Sequence, residues 1–123
     1  MKVKLFFAFT IMLSIFLVGC GHEQDDVVIN YFKSLEAGKL DDAISYLSEP
    51  NRKGVDSVEG RQALAASANI FKKRKGIKKI EISRREVTGE TAKIVYAYTF
   101  NDGSTVDDYL PLVKEKGKWK ISN

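Results

Sequence analysis

The chain has 123 residues, with 20 basic and 16 acidic side chains and a formal net charge of +4. That length holds one small domain, and a content of 44% hydrophobic and 29% charged residues excludes a disordered chain. One cysteine excludes an internal disulfide.

The N-terminus predicts a secretory leader. Lys2 and Lys4 form a positive start, and an apolar run follows from Leu5 to Val18, broken by Thr10 and Ser14. This run is short for a membrane-spanning helix, which needs about 20 residues. It ends in Leu17-Val18-Gly19-Cys20. That ending resembles the lipobox of bacterial lipoproteins. The resemblance implies cleavage after Gly19, a diacylglyceryl group on the Cys20 thiol and acylation of its freed amine. Two or three acyl chains hold a protein to a bilayer far more firmly than one. Loss of Lys2 and Lys4 with the leader lowers the net charge to +2. The resemblance also places the mature protein in a bacterial cell envelope. Gly21, standing where an Asp favours inner-membrane retention, points to the outer membrane facing the periplasm in a Gram-negative host. In a Gram-positive host the outer face of the plasma membrane is expected. Residues 1–19 are thus read as signal peptide, 20–26 as lipidated cysteine and tether, and 27–123 as one domain.

Helical spacing begins after the tether. Val27, Val28, Tyr31, Phe32 and Leu35 form one apolar stripe, with Asp25 and Asp26 placed to cap it and Gly38 to end it. Leu40, Ala43, Ile44 and Leu47 predict a second helix, with Asp41 and Asp42 in its first turn and Pro50 stopping it. Residues 50–60 read as a loop. A third helix is predicted over 61–75, with Leu64, Ala68 and Phe71 inward and Gly76 as its terminator.

The period then changes to two. Ile80 and Ile82 mark a first strand. Thr88-Gly89-Glu90 is a turn. Ala92, Ile94, Tyr96, Tyr98 and Phe100 share one face of a second strand, and Asn101-Asp102-Gly103-Ser104 marks a hairpin. A third strand runs from Thr105 to about Lys114, and Pro111 predicts an edge position or a bulge there. After the turn Glu115-Lys116-Gly117-Lys118, Trp119 and Ile121 alternate on a final strand. Helices followed by an antiparallel meander predict an α+β domain with helices packed on one face of a curved sheet.

The helix pair from Tyr31 to Ser48, with its corner at Ala37-Gly38-Lys39, the strand pair joined by Asn101-Asp102-Gly103 and the closing stretch from Leu112 to Ile121 together resemble small bacterial lipoproteins. These carry a domain of unknown function of the nuclear-transport-factor-two-like (cystatin-like) superfamily. The resemblance spans Val27 to Ser122 and implies a cone, in which a bent sheet wraps a long helix and leaves a pocket. Enzymatic relatives place Tyr and Asp in that pocket, but no motif here aligns with theirs, so no catalytic residue is assigned and no cofactor is expected.

Three groups of residues are candidates for function. Tyr96, Tyr98 and Phe100, with Tyr31, Phe32 and Trp119 nearby, form an aromatic group that can line a pocket. Asp108, on the face of Leu110 and Leu112, would stand inside or at the rim of it, whereas Asp107 points to the other face. Lys72, Lys73, Arg74, Lys75, Lys78, Lys79, Arg84 and Arg85 form a basic stretch suited either to anionic lipid or to plain solvation of a helix end and a strand. The only histidine, His22, falls on the tether, which argues against a histidine-based catalytic or metal site. The expected role is a non-catalytic, lipid-anchored binding or accessory domain for an envelope protein or small ligand. The alternatives are a small hydrolase or isomerase using the pocket, or an interaction or immunity factor acting through the basic ridge. Nucleic acid is not an expected partner.

Overall fold

A computed structural model describes residues 23–122. Cys20 and His22 lie outside the described residues. Helix α1 spans Glu23–Glu36, and so begins four residues before the expected boundary at Val27. Glu23, Asp25 and Asp26 all occupy its first turn, where acidic side chains favour the helix dipole. Most of the expected tether is therefore helix. Val28, Phe32 and Leu35 form its buried stripe. Gly38, at a φ of 76°, donates its N–H to the Leu35 carbonyl and ends the helix. Helix α2, Leu40–Ser45, buries Ala43 and Ile44.

The expected loop at 50–60 is instead a helical corner. Helix α3 is Glu49–Val55 and helix α4 is Val58–Lys73. Pro50 does not stop a helix. It lies in the first turn of α3, where its missing N–H would have had no helical partner. Ser57 caps α4 by accepting the Gly60 N–H at 3.0 Å. A Cβ at Gly60 would stand 2.5 Å from the Val55 carbonyl oxygen, so this glycine marks a close approach of two helices rather than a loop. On α4, Leu64, Ala68 and Phe71 face the core as expected.

Four antiparallel strands follow in the order β1-β2-β3-β4: Ile77–Thr88, Thr91–Phe100, Thr105–Glu115 and Lys118–Ile121. Irregularities between Ile77 and Lys79 and between Ile82 and Arg84 bend β1, as bulges do. Lys116 and Gly117 both take positive φ, so the last hairpin turns through two left-handed residues. Ala92, Ile94, Tyr96, Tyr98 and Phe100 all face inward, and Leu112, Trp119 and Ile121 complete the same face. Pro111 sits on β3, which is an inner strand of the sheet. Yet β4 pairs only with residues 112–115, so Pro111 stands at the first position that β4 leaves uncovered. There it needs no N–H, and its carbonyl accepts from Ser122 at 2.8 Å.

The far edge of β4 is closed by the link between α2 and α3. Ile121 donates to the Tyr46 carbonyl and Ser48 donates to the Ile121 carbonyl, both at 2.8 Å. Leu47 and Ile121 form the bridge between the two segments.

Candidate functional site

The inward residues of β2 meet α1 and α4 around an aromatic cleft. Phe32 of α1 stands 5.1 Å from both the Tyr96 and the Tyr98 ring. Tyr96 and Tyr98 stack at 5.9 Å with planes 11° apart. Phe71 of α4 meets Tyr98 edge-on at 5.8 Å and Phe100 at 5.6 Å. Alternation on the strand and the i, i+4 period of the helices bring these rings together. They form the floor of a cleft of about 400 Å³, walled by Leu35, Ser67 and Ile70 on the helix side and by Thr105, Val106 and Leu110 on β3.

Three tyrosines line this cleft, Tyr31, Tyr96 and Tyr98. Burial raises the Tyr96 hydroxyl well above its ordinary range, and the Asp108 carboxylate and the two other phenols raise it further. Tyr98 is raised by burial and then by Asp108, against a smaller opposing effect of Arg74. Tyr31 is raised by burial and by Tyr98. All three are therefore neutral hydrogen-bond donors at physiological pH.

Of the expected pocket residues, the fold brings Tyr96, Tyr98 and Phe100 to the cleft floor together with Tyr31 and Phe32. Trp119 is set apart on β4, where Lys114 Nζ lies 5.4 Å from its ring. Asp108 pairs with Tyr96 across the β2–β3 register and so shares its face, but it is exposed and lies just outside the lining, at the rim. Its carboxylate accepts the Tyr109 N–H at 2.8 Å.

The basic stretch does not form one surface. Arg74 turns into the cleft mouth, 5.5 Å from the Phe100 ring, and donates to Ser104 Oγ at 2.8 Å. Lys79 meets Glu81 at 3.7 Å and Arg84 meets Glu86 at 2.9 Å. Arg85 crosses to Asp25 of α1. Lys72, Lys73, Lys75 and Lys78 remain as exposed cations. They adjoin the end of α1 marked by Glu36, whose carboxylate accepts the Ile77 N–H at 2.6 Å.

Two residues of this region escape a linear reading. Asp25 was expected to cap α1, but it is buried and bound to Arg85. Arg74 was expected on a surface ridge, but it borders an aromatic cleft. Both partners lie far along the chain, so only the tertiary fold reveals them.

Among the described residues, no helix is long and apolar enough to cross a membrane, and no group of three or more His, Cys, Asp or Glu side chains is placed to hold a metal ion.

Helices on the inner face of a curved four-stranded sheet define an NTF2-like α+β domain. Solved structures share this architecture. A Campylobacter jejuni protein named as a candidate NTF2-like transpeptidase superposes with a TM-score of 0.67 at 24% identity, over 82% of this chain and 98% of that one. An NTF2-like protein of unknown function from Shewanella baltica OS155 gives 0.58 at 16% identity, over 85% and 90%. A SEC-C motif containing protein from Rhodopseudomonas palustris gives 0.57 at 10% identity, over 75% and 69%. At these identities the likeness is one of fold. Residues 18–122 match the domain-of-unknown-function family DUF4878, and the chain belongs to that family. No curated protein matches it.

Proposed function

We propose that the protein is a lipid-anchored bacterial envelope protein whose NTF2-like domain holds a small, largely apolar ligand in the aromatic cleft. The anchor is the lipid on Cys20, implied by Leu17-Val18-Gly19-Cys20 after an apolar leader. In a Gram-negative host the domain faces the periplasm from the outer membrane. In a Gram-positive host it sits on the outer face of the plasma membrane.

The observation that carries the reading is the cleft itself. Its volume of about 400 Å³ falls in the ordinary range of ligand sites. An aromatic floor supplies apolar contact, and the three tyrosine hydroxyls supply donors that can orient one end of a ligand. We assign the site to binding and not to catalysis, because the cleft lining pairs no nucleophile with a base, and Asp108, the one carboxylate beside its tyrosines, is exposed outside that lining.

The test is native mass spectrometry of the full chain isolated from its own envelope, beside a Val106→Trp variant that fills the cleft. Val106 is only partly buried on β3, so the larger ring can grow into the opening. A small molecule carried by the wild type and lost from the variant is the expected result. A chain that carries nothing, or a variant that carries the same molecule, would overturn the reading.

A further inference from the structure

A second depression, of about 700 Å³, lies at the other end of the domain, between the α2–α3 link and the β3–β4 hairpin. Arg52, Lys116, Lys118 and Lys120 line it with Glu49 and Glu115. Two of these cations are fixed in place by neutral partners. Arg52 Nη1 donates to the Leu47 carbonyl at 2.7 Å, and Lys120 Nζ donates to the Ser45 carbonyl at 2.7 Å. Such bonds hold a side chain in position without neutralising it.

Two carboxylates against four cations leave the depression with a net positive charge. Glu115 accepts the Glu49 backbone N–H at 2.9 Å with one oxygen and pairs loosely with Arg52 at 4.0 Å through the other, so Lys116, Lys118 and Lys120 stand without an ion pair among the described residues. Lys120 is lowered from the ordinary lysine range by desolvation and then by Arg52 and Lys118, with Glu115 alone opposing. Fixed, crowded and under-compensated cations around an open depression favour an incoming anion.

We propose that this basic depression binds a phosphate group, and that the phosphate belongs to a membrane phospholipid headgroup. The lipid assignment follows from position and rests on the anchored reading above. Lys118 and Lys120 also line a neighbouring hollow with Glu23, Asp26 and Val27, at the start of α1. Cys20 precedes Glu23 by only three positions, so extended chain between them spans about 10 Å. The exposed lysines of the expected ridge lie at the other end of α1, whose 14 residues measure about 20 Å. Charge effects fade over a Debye length of about 8 Å at physiological salt. The depression, not the ridge, is thus the basic feature within reach of headgroups. Glu23 and Asp26 share its neighbourhood, which limits general attraction to an anionic surface and favours a phosphate seated among the four cations.

The test follows the side-chain signals of Lys118 and Lys120 by NMR on the full chain in neutral detergent. The probes are inorganic phosphate, short-chain phosphatidylglycerol and phosphatidylcholine of the same chain length. Saturable shifts with the phospholipids, weakened by salt, are the expected result. Lys116→Gln with Lys118→Gln, both at exposed positions, should weaken binding roughly thirtyfold, while Gln at Lys72, Lys73, Lys78 and Lys79 should leave it unchanged. Shifts with inorganic phosphate alone would overturn the membrane source and leave a site for a soluble phosphate. No shift with any probe, in a chain whose spectrum shows it folded, would overturn the site. None of these readouts needs lipid on Cys20, so failure here is separate from failure of the anchor.

Discussion

Arg85 of β1 grips Asp25 of α1 with both ends of its guanidinium, Nε donating to Oδ1 at 2.7 Å and Nη2 to Oδ2 at 2.5 Å. The Asp25 side chain is 10% exposed and that of Arg85 is 40% exposed. The pair ties the first turn of the first helix to an edge strand of the sheet. Removing Arg85 leaves a buried carboxylate without its cation. Loss of one partner from a fully buried pair costs about 3–5 kcal/mol, and the exposure of Arg85 reduces this to about 1–3 kcal/mol for Arg85→Ala. Asp25→Asn keeps one acceptor and should cost less. Urea unfolding of both variants checks the ordering, and an unchanged midpoint for Arg85→Ala would show that the pair does not stabilise the fold.

Trp119 is 7% exposed and packs on the inner face of the shortest strand. Trp119→Ala should cost about 3–5 kcal/mol, a large share of the roughly 5–15 kcal/mol that holds a domain together. Thermal melting followed by circular dichroism is the measurement. A variant that melts with the wild type would mean that the strand does not depend on this ring.

The cleft tyrosines predict a particular response to alkali. Tyr31, Tyr96 and Tyr98 are all raised above the free phenol, foremost by burial. The folded state therefore holds these protons more tightly than the unfolded chain does. Their contribution to stability is complete below about pH 10, the range of free tyrosine, and is lost as pH rises through the higher folded values. Wild-type stability should fall above about pH 10, and the fall should be shallower in Tyr96→Phe. Phenolate absorbance against pH, compared between the two proteins, identifies the late-titrating group. The two curves should coincide through the range of free tyrosine and part only above it; a variant that lacks one phenolate already near pH 10 would place Tyr96 in water.

The anchor proposed at Cys20 makes its own prediction. Cys20→Ala should abolish incorporation of labelled fatty acid and block processing after Gly19. Gel mobility and radiolabel read both effects in one experiment. A variant that is still cleaved and still fractionates with membranes would remove the anchor from the account.

Period carried most of the fold into the sequence. The stripe of Val28, Phe32 and Leu35, the inward row from Ala92 to Phe100, and the hairpin glycines are local patterns, and they sit where spacing puts them. Residues 50–60 read as a loop and fold as a helical corner because Pro50 and Gly60 are ambiguous in isolation. A proline suits a helix start as well as a helix stop, and a glycine suits a tight crossing as well as a loop. The aromatic cleft was half legible, since Tyr96, Tyr98 and Phe100 alternate on one strand. Its wall from α4 was not, because no local rule pairs Ile70 with Val106. Charge misled most. The basic residues adjacent in sequence are dispersed by the fold, while Arg52 and Lys116, Lys118 and Lys120 converge from two separate segments.

The last strand is held on both sides, by β3 and by the Tyr46–Ser48 link, so the fourth strand is also the closing stitch between the two halves of the chain. Such a closure is non-local, and non-local pairing is what slows a small domain's folding. Until Trp119 and Ile121 arrive, the early helices have no sheet edge to seal against, and their apolar stripes stay partly bare. The order of the chain thus delays commitment to structure until its end is free. For a chain that emerges N-terminus first, that delay keeps the domain open until its last strand is free.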